Sequence, residues 1–209
     1  MVCSEPVRDE KGWERMTSRD LILSAIRSAR PPAVARPDVS LTVGSFGAPH
    51  ELVRLFTEMA ESAGADVRGA SRPELSSAID TAYPAMRRTV SALGPSNGAG
   101  LDAGTPHAFA DTDLFVCEAV LGVAENGAVW LPLSRLRYRS AVFLATNVVI
   151  VLKRAMIVAS LHDAYAAIEV SAEDFGVFIA GPSKTADIEL ALVVGAHGAM
   201  SVTILLVDD

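Results

Sequence analysis

Residues 181–198, which read GPSKTADIELALVVGAHG, contain the densest group of side chains in this chain that could do chemistry. Gly181 lets a ligand approach the backbone closely, and Pro182 fixes the turn that follows. Ser183 or Thr185 can cap a helix, and the hydroxyl that does not cap is left for a ligand. The pattern predicts an anion site at a strand-to-helix junction, where free backbone N–H groups favour negative charge.

Lys184 is the least expected residue of this segment, because its charge opposes the dipole at the predicted helix start. A bound phosphate or carboxylate would explain it. Asp187 and Glu189 suit the first turn of that helix and could orient the lysine. His197 and Gly198 follow in a predicted turn, where His197 is a candidate catalytic residue. An ordinary cap and a solvated histidine explain the composition equally well. The P-loop and Gly-x-Gly-x-x-Gly spacings are both absent, so nucleotide binding is not indicated.

The segment AENGAVW (124–130) is the second candidate for a functional site. Asn126 and Gly127 lie between two apolar runs and predict a type I′ hairpin turn, in which both residues take positive φ. Glu125 stands at a strand end beside this turn, where a carboxylate could act as base or nucleophile. A simple hairpin also accounts for the segment. No metal-ligand spacing and no Ser–His–Asp arrangement stands out elsewhere.

Composition narrows the class of protein. The chain has 209 residues, enough for one α/β domain, and its formal net charge of −7 argues against nucleic acid as a partner. Its two cysteines are too few to ligate an iron–sulfur cluster. The longest apolar run, 142–152, is too short to span a bilayer, and the polar start lacks a signal peptide. A soluble, cytoplasmic protein is therefore expected.

The predicted elements form an alternating pattern. Residues 1–15 are expected to be a disordered extension, followed by a single domain over 16–209 in which Ser18 caps the first helix. Residues 94–106 indicate an exposed loop. Further helices are predicted at 49–63 (with Gly64 ending the helix), 73–82, 156–168 and 185–194. Strands are predicted at 65–70, 114–120, 120–124, 128–132, 141–145, 148–152, 175–180 and 201–207. Strands that are apolar on both faces and alternate with helices predict a mostly parallel or mixed sheet with helices on both faces, with an antiparallel hairpin at 120–131.

Three segments together resemble a known family. GPSKTADIE, GAHG and the final SVTILLV closely resemble the C-terminal signature of the LUD-domain family, in its lactate utilization protein C group. AENGAVW is similar to the Ala-Glu-Thr-Gly segment of that family, and MTSRDLILSAIRSAR to its usual start. The resemblance covers about residues 16–207 and is weakest over 85–115.

The resemblance implies a fold similar to the NagB/RpiA/CoA-transferase-like α/β group. It also implies a part in the oxidation of L-lactate to pyruvate, beside two partner proteins that carry the iron–sulfur clusters. No cofactor and no metal are expected in this chain itself, and a homo-oligomer is one expected assembly. Asn126 replaces the usual threonine of the family, which puts a hydroxyl role there in doubt. The residues carried over by the motif are Glu125 and His197 as catalytic candidates, with Gly127, Gly181, Pro182, Ser183, Lys184, Thr185, Asp187, Glu189 and Gly198 as ligand-binding candidates.

Two alternatives from other functional classes stay open at this point. Glu-Asn-Gly also resembles the active-site segment of class I CoA-transferases, whose glutamate forms a thioester with CoA. That likeness predicts an acyl-CoA transferase or hydrolase with Glu125 as nucleophile, although those enzymes bring two such halves together. The other alternative is a non-catalytic subunit that binds a small carboxylate or a phosphate ester. Whether the chain is itself an enzyme is left open.

Overall fold

The computed structural model describes residues 17–35, 48–93, 105–169, 172–186, 192–195 and 197–208. The chain divides into two compact units, Met1–Thr42 and Val43–Asp209. The predicted extension over 1–15 and most of the loop over 94–106 lie outside the described residues, and the domain limits proposed above stay a prediction. No described helix is long and apolar enough to cross a membrane.

In the first unit the structure describes one helix, α1 (Ser18–Ser28). Its cap is Thr17 and not Ser18 as predicted. The hydroxyl of Thr17 accepts a hydrogen bond from the backbone N–H of Asp20, and the Asp20 carboxylate accepts the Thr17 N–H in return. This capping box satisfies two N–H groups at the helix start, which explains why the helix begins one residue after threonine.

The second unit carries the remaining described elements. Its helices are α2 (Pro49–Ser62), α3 (Leu75–Ala82), α4 (Leu133–Leu136), α5 (Ala141–Leu144) and α6 (Leu161–Ala167). Its strands are β1 (Asp66–Ala70), β2 (Thr89–Ser91), β3 (Leu114–Glu118), β4 (Leu121–Val123), β5 (Ala128–Pro132), β6 (Asn147–Lys153), β7 (Ile157–Val158), β8 (Gly176–Ile179), β9 (Lys184–Ala186), β10 (Leu192–Val194) and β11 (Ser201–Val207).

The core of the unit is a five-stranded sheet in the order β1-β11-β6-β3-β2, and all four pairings are parallel. Its central strands are apolar on both faces, as β6 shows. Ile150 points into the larger core cluster and Val149 into the smaller one on the opposite face. Successive side chains of a strand alternate between faces, so an unbroken apolar run fits only a sheet that is covered twice. The prediction of a mostly parallel, twice-covered sheet is confirmed.

Different layers cover the two faces. Helix α3 packs on one face through Leu75 and Ile79. The other face is covered by α2, through the fully buried Phe56, and by a second sheet in the order β7-β4-β5-β8. Helix α6 then packs on the outer side of this second sheet, where Ala164 belongs to the same buried cluster as Leu121, Val123 and Trp130. The antiparallel β4–β5 hairpin was predicted, whereas its membership of a separate mixed sheet was not.

Three predicted elements are wrong. The expected strand at 141–145 is the short helix α5. The expected helix at 156–168 begins only at Leu161, because Ile157 and Val158 pair with β4 as strand β7. The expected helix at 185–194 is replaced by β9 and β10, which pair with each other in antiparallel register. Short apolar runs fit either helix or strand, and in the last two cases pairing with another strand decided the outcome.

Cys117 offers a direct test of the core. It lies fully buried in β3, and this burial raises the pKa of its thiol. Because the thiolate is the reactive form, we expect a Cys3→Ser variant to give no reaction with Ellman's reagent until urea unfolds the protein. Reaction in the native state at the rate of a free cysteine would contradict the burial of β3.

Candidate functional site

A cavity of about 230 Å³ lies at the amino ends of two adjacent inner strands of the parallel sheet, β6 and β11. Val148 and Val202, each the second residue of its strand, line its base. Val177 and Ile179 of β8 line the side formed by the second sheet, and Phe143 of α5 completes the wall. Ligands of open parallel sheets usually bind beyond the carboxyl ends of the strands, so this position is unusual for the architecture.

The polar part of the lining comes from the segment that the sequence singled out. Five candidates meet around this cavity: Gly181, Pro182, Ser183, His197 and Gly198. Residues that are fourteen or more positions apart in the chain thus reach one site. The two turns are joined directly, because the backbone N–H of Ser183 donates to the carbonyl of Ala199 at 2.9 Å.

Gly198 packs closely where these turns meet. A Cβ atom at Gly198 would lie 3.1 Å from Cβ of Ser183, tighter than an ordinary contact. The carbonyl of Ser183 also accepts the N–H of Gly195 at 3.0 Å, so the backbone of the serine is bonded on both sides. Its hydroxyl is different: no residue in the described part of the chain hydrogen-bonds with it, and the same holds for the imidazole of His197. One hydroxyl and one imidazole are therefore available to a ligand.

Two other glycines of the motif pack against the last turns of α2. A Cβ atom at Gly181 would lie 2.3 Å from the carbonyl oxygen of Ala63, and one at Gly127 would lie 2.3 Å from the backbone nitrogen of Ala60. Both glycines take positive φ, +71° and +68° respectively. Since β5 and β8 are paired in antiparallel register, the turns that contain Gly127 and Gly181 lie side by side at one end of the second sheet.

The turn at Gly127 differs from the predicted one. Among the described residues the only non-glycine with positive φ is Arg137, so Asn126 does not have the conformation that a type I′ turn requires. The N–H of Gly127 instead donates to the carbonyl of Val123, and the amide oxygen of Asn126 accepts the N–H of Ala128. The side chain of Asn126 thus closes the turn itself, which favours asparagine at this position.

Lys184 has a structural explanation that the sequence did not indicate. No helix starts here, because Lys184 begins strand β9. Its Nζ lies 3.1 Å from the position that a Cβ of Gly64 would take, beside the residue that ends α2. The carboxyl end of a helix carries partial negative charge, so the ammonium group is placed favourably there. Lys184 is not among the described residues that line the cavity.

Glu125 also has a role in the fold. Its Oε2 accepts the backbone N–H of Leu161 at 2.9 Å, and its own N–H donates to the carbonyl of Ala159. A carboxylate that binds the first free N–H group of α6 stabilises the start of that helix. Glu125 and Gly127 are not among the described residues that line the cavity.

The remaining candidates are only partly described. Thr185 pairs with Val193 between β9 and β10. Asp187 and Glu189 lie outside the described residues. In the part of the chain that is described, no group of three or more His, Cys, Asp or Glu residues could hold a metal ion.

Sequence reasoning missed the apolar wall of the cavity. Val142 and Phe143 of α5 and Val177 of β8 carry no chemical signal, since their types and spacing are those of ordinary core residues. Only the tertiary contact of α5 and β8 with the 181–183 and 197–199 turns makes them part of a site. No pattern in the chain could have identified them.

Comparison with known proteins adds three findings. The family model of the LUD domain matches residues 49–207. Lactate utilization protein C of Geobacillus kaustophilus is 32% identical over 146 residues, which cover 65% of this chain and 57% of that protein. Lactate utilization protein C of Bacillus licheniformis is 34% identical over 93 residues, 42% of this chain and 39% of that protein. The chain therefore matches only about half the length of these curated relatives, or less.

The fold has a counterpart among solved structures. The crystal structure of a DUF162 family protein from Deinococcus radiodurans superposes with a TM-score of 0.57 and 18% sequence identity. The match covers 77% of this chain and 98% of that one. At this identity the likeness concerns the fold alone, and it agrees with the α/β class predicted from the sequence.

Proposed function

We propose, because the chain belongs to the LUD domain family, that it takes part in the utilization of L-lactate. The observation that carries the proposal is the similarity to lactate utilization protein C of Geobacillus kaustophilus over 65% of the chain. Two local features support it. The segment around Gly181 and Ser183 lines a cavity, and the segment around Gly127 lies beside it at one end of the second sheet.

The finer proposal concerns which protein binds the ligand and which proteins accept the electrons. Oxidation of L-lactate to pyruvate removes two electrons and two protons, and the electrons need an acceptor. The family resemblance implies that the acceptors are iron–sulfur clusters in two partner proteins. The two cysteines of this chain agree with that division, because such a cluster commonly takes four. In this scheme the chain binds a small anionic ligand in the cavity, where the hydroxyl of Ser183 and the imidazole of His197 would donate hydrogen bonds to it.

The acyl-CoA transferase alternative gains no support from the geometry of Glu125. One oxygen of this carboxylate is engaged with the N–H of Leu161, and the residue lies outside the described lining of the cavity. A nucleophilic glutamate should form a covalent adduct with an acyl-CoA. A mass increase on Glu125 after incubation with acyl-CoAs would revive the alternative and count against the structural role of this residue.

Deletion of the gene tests the proposal. In a host without a second copy, we expect the deletion strain to lose growth on L-lactate as sole carbon source and to keep normal growth on pyruvate. Loss on L-lactate alone would separate a defect in lactate oxidation from a general metabolic defect. Normal growth of the deletion strain on L-lactate would overturn the proposal.

Complementation then tests the cavity. We expect Ser183→Ala to restore growth on L-lactate less well than the wild type, because it removes one of the two available hydrogen-bonding groups. The control is Arg54→Ala, which removes only an exposed ion pair with Glu58 on α2 and should restore growth fully. Equal complementation by both variants would argue against a role for the serine hydroxyl.

A further inference from the structure

The walls of the cavity point to a ligand that is larger and more apolar than lactate. Apart from the two turns, the side chains that line it are hydrocarbon, among them Val142, Val148, Val202 and Ile179. Phe143 lines it and is 42% exposed, so its ring reaches from the wall to the surface. The cavity volume of about 230 Å³ corresponds to the volume that about seven or eight molecules occupy in liquid water.

Lactate fits this lining poorly. It has one methyl group, and its hydroxyl and carboxylate oxygens all need hydrogen-bonding partners. The described lining offers two polar side chains, Ser183 and His197, at one end. A lactate molecule bound there would leave the exposed hydrocarbon of Phe143 and of the half-buried Val177 and Ile179 in contact with water, whereas an apolar tail would remove that surface from water.

The polar end suits a carboxylate. The hydroxyl of Ser183 can donate one hydrogen bond, and a histidine imidazole carries at least one N–H donor in either protonation state. The ammonium group of Lys184 lies beside Gly64 at the end of α2, and Lys184 is not in the described lining, so the donors at this end are the serine and the histidine. Two hydrogen-bond donors at one end suit a carboxylate, whose two oxygens both accept hydrogen bonds.

We propose that the cavity binds a monocarboxylate with an unbranched apolar tail of about four to eight carbons. Its carboxylate accepts hydrogen bonds from Ser183 and His197, and its tail lies against Val177, Ile179 and Phe143. The inference rests on the proposed function, because it takes this cavity as the ligand site. It identifies the ligand as a fatty acid and not lactate. No covalent step is involved.

Calorimetric titration of the full chain with acetate, butyrate, hexanoate, octanoate and L-lactate, at constant ionic strength, tests the proposal. Each methylene group that enters the cavity should raise the affinity about fourfold until the cavity is full. L-Lactate should bind no more tightly than butyrate. Tighter binding of L-lactate than of hexanoate, or the same affinity for every acid, would overturn the proposal.

Two neighbouring residues provide a matched pair of variants. Phe143 and Leu144 lie on α5 with nearly equal exposure, 42% and 40%, but only Phe143 is in the described lining. We expect Phe143→Ala to weaken hexanoate binding at least about fivefold and Leu144→Ala to leave it unchanged. Ser183→Ala should weaken all the acids by a similar factor of about ten, because it acts on the carboxylate. Equal loss with Leu144→Ala would indicate unspecific adsorption to the surface and contradict a site.

A protein partner is the competing occupant of this region. Phe143 of the lining is an exposed large apolar side chain, and so are Val194 and Met200, which lie within three residues of His197 and Ala199 in the chain. If none of the acids binds and hydrogen exchange shows these residues protected in a complex purified from the host, the cavity is part of a protein interface and the proposal is wrong.

The growth test of the deletion strain is independent of the binding test. A deletion strain that grows on L-lactate while the chain binds hexanoate would remove the proposed function and leave the cavity assignment standing.

Discussion

Replacing Gly127 by alanine is expected to lower the free energy of unfolding by about 2 to 5 kcal/mol. Two causes add. The left-handed backbone conformation, with φ of +68°, costs an L-residue about 1 to 2 kcal/mol. The new Cβ would also lie 2.3 Å from the backbone nitrogen of Ala60 and 2.5 Å from its Cα, which helix α2 cannot relieve by a side-chain rotation. Overpacking of this kind typically costs about 1 to 3 kcal/mol.

Gly64→Ala is the matched control for this prediction. Gly64 has a similar φ of +93°, but the nearest atoms to its Cβ would be the end of the flexible Lys184 side chain, at 3.1 Å. We therefore expect only the conformational cost of about 1 to 2 kcal/mol. Urea unfolding followed by circular dichroism measures both variants, with an unchanged slope as the sign that only stability has changed. Equal losses would show that the turn at Gly127 does not pack on α2.

The second large effect concerns Trp130, where we expect Trp130→Ala to cost about 3 to 5 kcal/mol. The indole is 8% exposed, and its ring centroid lies 4.7 Å from that of Phe178 on the neighbouring strand. It also covers Gly176: a Cβ atom there would come within 2.1 Å of Cη2 of the indole. A large aromatic ring placed over a glycine of the next strand shields the glycine backbone from solvent.

A double-mutant cycle distinguishes this arrangement from simple burial. Gly176→Ala alone should cost about 1 to 3 kcal/mol, because the methyl group displaces the ring. In the Trp130→Ala background the same change should be neutral or stabilising by about 0.5 to 1 kcal/mol, because alanine suits a strand better than glycine. Additive losses would show that the ring does not lie on Gly176. In a Trp13→Phe background, the fluorescence of Trp130 should also shift to the red in Gly176→Ala.

Much of the fold could be predicted because local patterns of apolar residues indicate its helices and strands. The helix at 49–63 was expected from its apolar stripe and the glycine after it, and α2 ends as predicted with Gly64 at positive φ. The apolar runs at 148–152 and 201–207 predicted β6, the central strand, and β11, which pairs with it. Long runs of branched apolar residues have few alternatives to a buried strand, so they needed no tertiary information.

The candidate site was predictable only in part. The motif identified Gly181, Ser183 and His197, and these residues do meet at a cavity. The interpretation of Lys184 was wrong, because it assumed a helix at 185–194 whose positive end the lysine would oppose. Residues 184–186 instead pair with 192–194, and the lysine lies at the carboxyl end of α2. A short segment rich in both helix-forming and β-branched residues does not decide this locally.

The sequence by itself determined the type of protein: an α/β chain of the LUD domain family with a mostly parallel, twice-covered sheet and a glycine-rich motif near its end. Such properties follow from periodicity and residue type, which are local features of the sequence. Only the tertiary structure decided that the motif opens onto the amino ends of β6 and β11, beside an apolar wall from α5 and β8. That outcome depends on contacts between segments far apart in the chain. The energies of these contacts exceed the small differences in local preference for helix or strand.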